Sequence, residues 1–248
     1  MGTFSFREGE KERCIFSRIE MLYVGLDDTD MPGTRGTGHL ARDVAAWLGD
    51  AYPIRGISRH QLLYDRRIPF TANNSSNVIQ LDAPETDRLT IFERVAEFVP
   101  PQCPEGSDPG LCVATQEQAD GLSFGRQCQV EVVKVSLAVD TAASRDILLK
   151  SLGGTPSGMI GALAGVCLRA SGNDGRFVQI GTIRDLTGRV PLAAVLTAGV
   201  DRVLTEDGTE LHEGDIETND KVRPALRDGR VTLYVKPVTP GVWEALKL

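Results

Sequence analysis

Three carboxylates fall within four positions at Asp27-Asp28-Thr29-Asp30, directly after the apolar run Met21–Leu26. Like charges at that spacing repel, and a bound cation is the simplest way to offset the repulsion. Close behind comes Gly33-Thr34-Arg35-Gly36-Thr37-Gly38, a glycine- and hydroxyl-rich loop. Glycines let successive N–H groups form an anion-binding concavity, and hydroxyls add donors. An acidic cluster followed by a phosphate-type loop points to a metal–nucleotide site. In that reading Asp27, Asp28 and Asp30 face the cation, while Thr29, Gly33, Thr34, Arg35, Gly36 and Gly38 surround phosphate. Magnesium suits such a short set, because it takes few protein ligands and leaves positions for phosphate oxygens. The plainer alternative is a capping loop with surface acids, in which Arg35 projects into water and Thr37 caps a helix.

Two further groups could serve the same site. Arg59 and His60 follow a strand candidate and precede the amide- and hydroxyl-rich loop Thr71–Asn77. Arg59 could offset phosphate charge, and His60 could move a proton or touch phosphate; otherwise both are surface polar groups. Gly153-Gly154-Thr155-Pro156-Ser157-Gly158-Met159-Ile160-Gly161 leads into a helix with a bare face. Either that face packs closely on a neighbour, or Ser157, Gly158 and Gly161 approach a phosphate or a nucleotide ring. Arg126 and Arg184 are secondary anion candidates, while His39 and His212 read as structural or solvent-exposed.

The elements that would position these residues follow from periodicity. Met21–Leu26 reads as a short buried strand and 38–49 as a helix with Leu40, Val44, Trp47 and Leu48 on one face. The tetrad and the glycine loop then lie at a strand's carboxyl end and a helix's amino end, where α/β folds place ligands. Residues 53–58 and 76–81 are strand candidates, and 86–98 a helix with Leu89, Phe92, Val95 and Phe98 as its stripe. Residues 100–112 read as loop, 121–139 fit either helix or strand, 142–152 read as helix, and 176–248 as strand-rich. Turns are expected at Asn173-Asp174-Gly175 and Arg227-Asp228-Gly229. The fold class expected is α/β (α+β), in two lobes with a cleft between them: 21–135 with the acidic site, and 136–248 with the small-residue helix. Residues 1–20 have mixed charge and no apolar segment, and read as an extension outside both lobes.

Composition narrows the partners. The 248 residues carry a net charge of -7, which argues against a broad electrostatic footprint for nucleic acid. The five cysteines form no C-x-x-C pair, so neither a zinc ribbon nor a disulfide framework is indicated, and reduced thiols place the chain in the cytoplasm. No apolar run is long enough to span a membrane.

Gly25-Leu26-Asp27-Asp28-Thr29-Asp30, Ile68-Pro69-Phe70 with the polar loop behind it, the Asp108-Pro109-Gly110 turn and Ser157-Gly158-Met159-Ile160-Gly161-Ala162-Leu163-Ala164 occur in an order that resembles the archaeal tRNA-isoleucine 2-agmatinylcytidine synthetase family. The resemblance implies a kinase-like α/β catalytic domain combined with a ferredoxin-like domain. It implies ATP and magnesium as cofactors, with Asp27, Asp28 and Asp30 on the metal and Thr37 at the family's phosphorylatable threonine. It also implies an activity that activates an acceptor and joins an amine to it. The family's K-T-R-G-N-G segment reads Thr71-Ala72-Asn73-Asn74-Ser75-Ser76 here, and the second threonine of its C-T-T is Gly38. The family's OB-fold and zinc ribbon have no counterpart in these residues. The expected activity is therefore that of an ATP- and magnesium-dependent phosphotransferase or ligase-like enzyme acting on a small molecule or an RNA, with Arg59 and His60 orienting the acceptor. The alternatives are a non-catalytic nucleotide- or metal-binding module, or one subunit of a split tRNA-modifying complex that meets RNA through a partner chain. A homo-oligomer is left open.

Overall fold

A computed structural model describes residues 19–68, 70, 71 and 73–247. The expected extension, residues 1–20, lies outside the described residues except for Ile19 and Glu20, which open the first strand. In chain order the elements are β1 (Ile19–Asp27), α1 (Thr37–Leu48), β2 (Ile54–Gln61), β3 (Ser75–Pro84), α2 (Arg88–Phe98) and β4 (Gly110–Thr115). Then come α3 (Gln116–Ala119), α4 (Phe124–Val130), α5 (Val135–Ser144), β5 (Leu148–Ser151) and α6 (Gly158–Ala170). The remainder is β6 (Arg176–Gln179), β7 (Arg189–Pro191), α7 (Leu192–Thr197), β8 (Arg202–Thr205), β9 (Asp215–Glu217), β10 (Ala225–Arg227), β11 (Arg230–Thr239) and β12 (Val242–Ala245).

The first six elements form a β-α-β-β-α-β unit whose strands lie in the order β4-β1-β3-β2, all antiparallel. That order is the ferredoxin-like arrangement. Central β1 and β3 are buried on both faces, and their side chains feed two cores by strand alternation. Leu22, Val24, Leu26, Ile79 and Leu81 meet α1 and α2 on one face. Tyr23 and Val78 meet α4 and α6 on the other. Elements through residue 170 therefore share the cores of the first sheet: β5 extends it beside β4, and α6 packs on β1, β3 and β4.

Residues 176–245 continue the sheet through β6, which pairs with β2, and enclose a third core around Phe177, Val203, Ile216 and Leu233. At the β10–β11 hairpin Asp228 and Gly229 take φ of 53° and 72°, the two-residue turn expected from Asp-Gly. The mixed α/β class expected from the sequence is the class observed.

Several local readings change. On α2 three members of the expected stripe, Phe92, Val95 and Phe98, pack on the first core, whereas Ile91 joins them and Leu89 is 53% exposed. The ambiguous stretch resolves into α4 and α5, with Leu137 and Val139 outward. Within 142–152 the chain leaves α5 and forms edge strand β5, since a short apolar run can satisfy either period and β4 offers a free ladder. The last three residues of the expected 100–112 loop belong to β4.

Candidate functional site

At one end of the first sheet lies a cavity of about 350 Å³. Its floor is the carboxyl end of β1, and the amino-terminal turns of α1 and α6 enter from opposite faces of the sheet. Neither helix has a side-chain cap: Gly36, which precedes α1, has no side chain to offer, and Ser157, which precedes α6, accepts no hydrogen bond from its helix through its hydroxyl. First-turn N–H groups left without an intrahelical partner favour an anion.

Of the residues singled out by sequence, Asp27, Asp28, Asp30, Gly36, Thr37, Gly38, Arg59, Ser157 and Gly161 line this cavity, as does His39, which reads from sequence as structural or solvent-exposed. The bare face of α6 does two jobs. Against the sheet it permits backbone contact: a Cβ on Gly25 would strike the Ala162 carbonyl, and one on Gly110 would strike Gly158. Gly158 is thus taken up by packing. One turn on, a Cβ at Gly161 would overlap Asp27 Oδ2, so this glycine is the socket for that carboxyl.

Burial, and then the Asp28 charge, push the Asp27 carboxyl up to about 7. Asp28 is pushed up to about 6, by burial first and then by Asp108 and Asp30. Asp28 also takes φ of 54°, a left-handed conformation that Asp and Asn adopt more readily than most residues. Hydroxyls surround the acids. Thr71 Oγ1 lies 3.4 Å from both Asp30 oxygens, Thr37 Oγ1 donates to Asp30 Oδ1 at 3.5 Å, and Ser157 Oγ donates to Asp28 Oδ2 at 3.5 Å. Among the described residues no three acidic, histidine or cysteine side chains converge into a ready-made metal cage.

Other expected residues stand apart from the cavity. Thr29 is buried, and its hydroxyl has no hydrogen-bond partner among the described residues. Gly33 and Thr34 form an exposed turn in which Thr34 bonds back to Met31. Arg35 is 69% exposed and pairs with Asp43 at 3.0 Å. His60 faces the opposite side of β2 from Arg59 and is fully buried, bonded to Ser58 Oγ at 2.8 Å and Asp174 Oδ1 at 3.0 Å. Burial holds its imidazole below the usual histidine value. Arg126 is also bound to Asp174, at 2.7 Å.

Four residues that bear on the cavity carried no role in the sequence reading. Asp108 accepts from Thr155 N at 2.6 Å and Ser157 Oγ at 3.0 Å, which anchors the α6 entry beside Asp28. Asn77 is 3% exposed and lines the cavity with its Oδ1 unpartnered among the described residues. Arg42 and Arg223 line the cavity from α1 and from the loop before β10. Asp108 lay in the Asp-Pro-Gly turn and Asn77 in the polar loop, so both were signalled as segments. Arg42 and Arg223 had no sequence signal.

Fold and cavity together define a mixed α/β protein with an acid-lined cleft at the end of a ferredoxin-like sheet. No protein-family model matches the chain, and no curated protein matches it. Among solved structures, the chain is similar to TiaS, a tRNA agmatidine synthetase, in complex with an isoleucine tRNA and ATP, at a TM-score of 0.53 and 23% identity over 60% of this chain and 36% of that one. The complex of TiaS with the same tRNA, AMPCPP and agmatine gives 0.51 and 22%, over 59% and 36%. A tRNA fluorescent labeling enzyme gives 0.53 and 22%, over 59% and 36%. This chain spans little more than a third of the length of those proteins, and at this identity the likeness is one of fold. No helix among the described residues is long and apolar enough to cross a membrane.

Proposed function

We propose that the cavity binds ATP with magnesium, and that the chain is an ATP-dependent phosphotransferase or ligase-like enzyme acting on a small molecule or an RNA. The observation that carries this reading is the convergence of Asp28, Asp30 and two side-chain-uncapped helix N-termini on one cavity. The residues suit magnesium that arrives with a nucleotide rather than a permanently caged ion. Magnesium needs only one or two carboxylates when phosphates and water complete its shell. The unpartnered Asn77 Oδ1 marks a place where a ligand donor or water would be satisfied. Asp28 and Asp30 would hold the ion, with Asp27 behind them in its Gly161 socket. The ion would neutralise charge developing on the transferred phosphoryl group.

The chain's own residues bind and orient. The α1 and α6 amino termini hold phosphate oxygens, and Thr37, Thr71 and Ser157 keep the carboxylates aimed. Arg59, positioned by its bond to Ser75 Oγ at 2.8 Å, offsets acceptor charge. Lining residues come both from the elements through residue 170, which share the first sheet's cores, and from residues 176–245. TiaS is described with tRNA, ATP and agmatine, and the ATP part of that set is the part these residues best support. A nucleotide-binding module without turnover is the second reading. It is favoured by Thr71–Ser76, where the family pattern would place a lysine and an arginine.

Thermal unfolding with ATP and magnesium, singly and together, tests the proposal. A shift of several degrees that needs both is expected, and Asp28→Asn should abolish it while leaving the metal-free melting temperature unchanged or raised, since Asn accepts the same backbone conformation and removes a charge that the folded chain disfavours. Equal loss of stability in both buffers would make Asp28 a structural cap. Absence of turnover despite the shift would favour the module.

A further inference from the structure

The cavity has a second, oppositely charged end. Arg42 comes from α1, Arg59 from β2, Arg184 from the turn after β6, and Arg223 from the loop before β10. Arg42, Arg59 and Arg223 line the cavity itself. Arg184 and Arg223 each donate to the single carbonyl of Val178 at 3.3 Å, which holds two guanidinium groups side by side. Among the described residues none of these four arginines makes an ion pair, whereas Arg35, Arg55, Arg67, Arg88, Arg126, Arg189 and Arg202 each do. The bonds they do make go to His39 Nδ1, Ser75 Oγ and Val178 O, and each takes one of a guanidinium's five N–H groups. Of the acids near them, Asp43 is engaged by Arg35, and Asp30, whose charge reaches Arg59, accepts from Thr37 and Thr71.

Four guanidinium charges gathered this closely repel one another. Arg223 is held below its usual basicity by burial and then by Arg184, Arg176, Arg42 and Arg59. A dianion offsets that repulsion, and the planar guanidinium fork matches phosphate oxygens bidentately. Three of the arginines line a concave cavity of about 350 Å³, and the fourth, the exposed Arg184, is bonded to Val178 of its lining; they do not form a stripe of the kind that tracks a nucleic-acid backbone.

We propose that this arginine end is a subsite for the phosphate group of a small phosphomonoester acceptor, separate from the phosphates of the nucleotide. The inference rests on the proposed ATP site for its place in a reaction, but its binding test does not.

Titration of the full chain with inorganic phosphate and with glycerol phosphate, without nucleotide or magnesium, is the experiment, read by calorimetry and thermal shift. Binding is expected, weakened about tenfold or more in Arg184→Gln/Arg223→Gln and unchanged in Arg55→Gln, an exposed arginine paired with Asp82. Arg184→Lys/Arg223→Lys should recover part of the affinity and guards against a fold defect in the glutamine pair. Phosphate should still bind the wild-type chain when ATP and magnesium are saturating. No response to either phosphate probe, binding retained in the glutamine pair, or displacement of phosphate by ATP and magnesium would each overturn the subsite, as would binding of a short RNA without any response to the small phosphates. Arginine-dependent phosphate binding in a chain that ignores ATP would sink the nucleotide proposal and leave this one standing.

Discussion

The two ends of the cavity are built in opposite ways. The acid end comes from four consecutive residues on one turn, braced by a helix that lies against the sheet through glycines. The arginine end is assembled from four elements separated by up to about 180 positions of chain, and two of its members share one carbonyl. The acid end therefore depends on backbone packing, which is stiff and felt by any added methyl group. The arginine end depends on long side chains held by single hydrogen bonds, which can adjust to a ligand's shape.

This contrast can be broken most severely at Gly161. Gly161→Ala puts a Cβ where Asp27 Oδ2 sits, so the carboxyl must leave its socket. We expect loss of the magnesium-dependent ATP response together with a stability loss of about 1–3 kcal/mol from overpacking, measured by denaturant unfolding. A variant that keeps full ATP response would show that Asp27's placement does not matter.

A smaller effect concerns pH. Asp27 titrates near 7 in the folded chain, against 3.8 for an ordinary aspartate, so the folded state holds an extra proton between about pH 4 and 7. Stability then falls as pH rises through that window and levels off above it. Asp28, raised to about 6, adds in the same direction. Metal-free melting temperatures from pH 5 to 8 should decline in the wild type and decline less in Asp27→Asn. The difference should amount to about 2 kcal/mol, reduced from the fully buried figure because the carboxyl borders the cavity. Parallel curves would place Asp27 in a more polar setting than its burial implies.

The smallest effect is expected at Arg35, the residue that the glycine loop offered most directly as a phosphate clamp. It is 69% exposed and engaged with Asp43. Arg35→Ala should change stability by less than about 1 kcal/mol and ATP affinity by less than about twofold. A larger loss of affinity would mean that the loop closes over the ligand.

Legibility in the sequence divided along the same line. The strand of Met21–Leu26, the helix behind Gly36 and the hairpin at Asp228-Gly229 were readable because each is set by local periodicity or by the turn preference of adjacent residues. The acid tetrad was readable for the same reason, since its members are neighbours in the chain. His60 shows the limit. It is adjacent to Arg59, but strand alternation sends one side chain toward the cavity and the other into the α4–α6 core, where Asp174 meets it. Edge strand β5 shows another, because its period is satisfied only once β4 lies beside it.

By itself the sequence determined the α/β class, the acidic tetrad at a strand end, and the small-residue face of a later helix, all of which depend on short-range pattern. Only the tertiary structure decided that this helix seats Asp27 against Gly161, that Arg35 and His60 stay outside the cavity, and that Arg42, Arg59, Arg184 and Arg223 gather at its other end. Those outcomes depend on which distant elements share a sheet face or a carbonyl, and contacts of that kind leave no period in the chain.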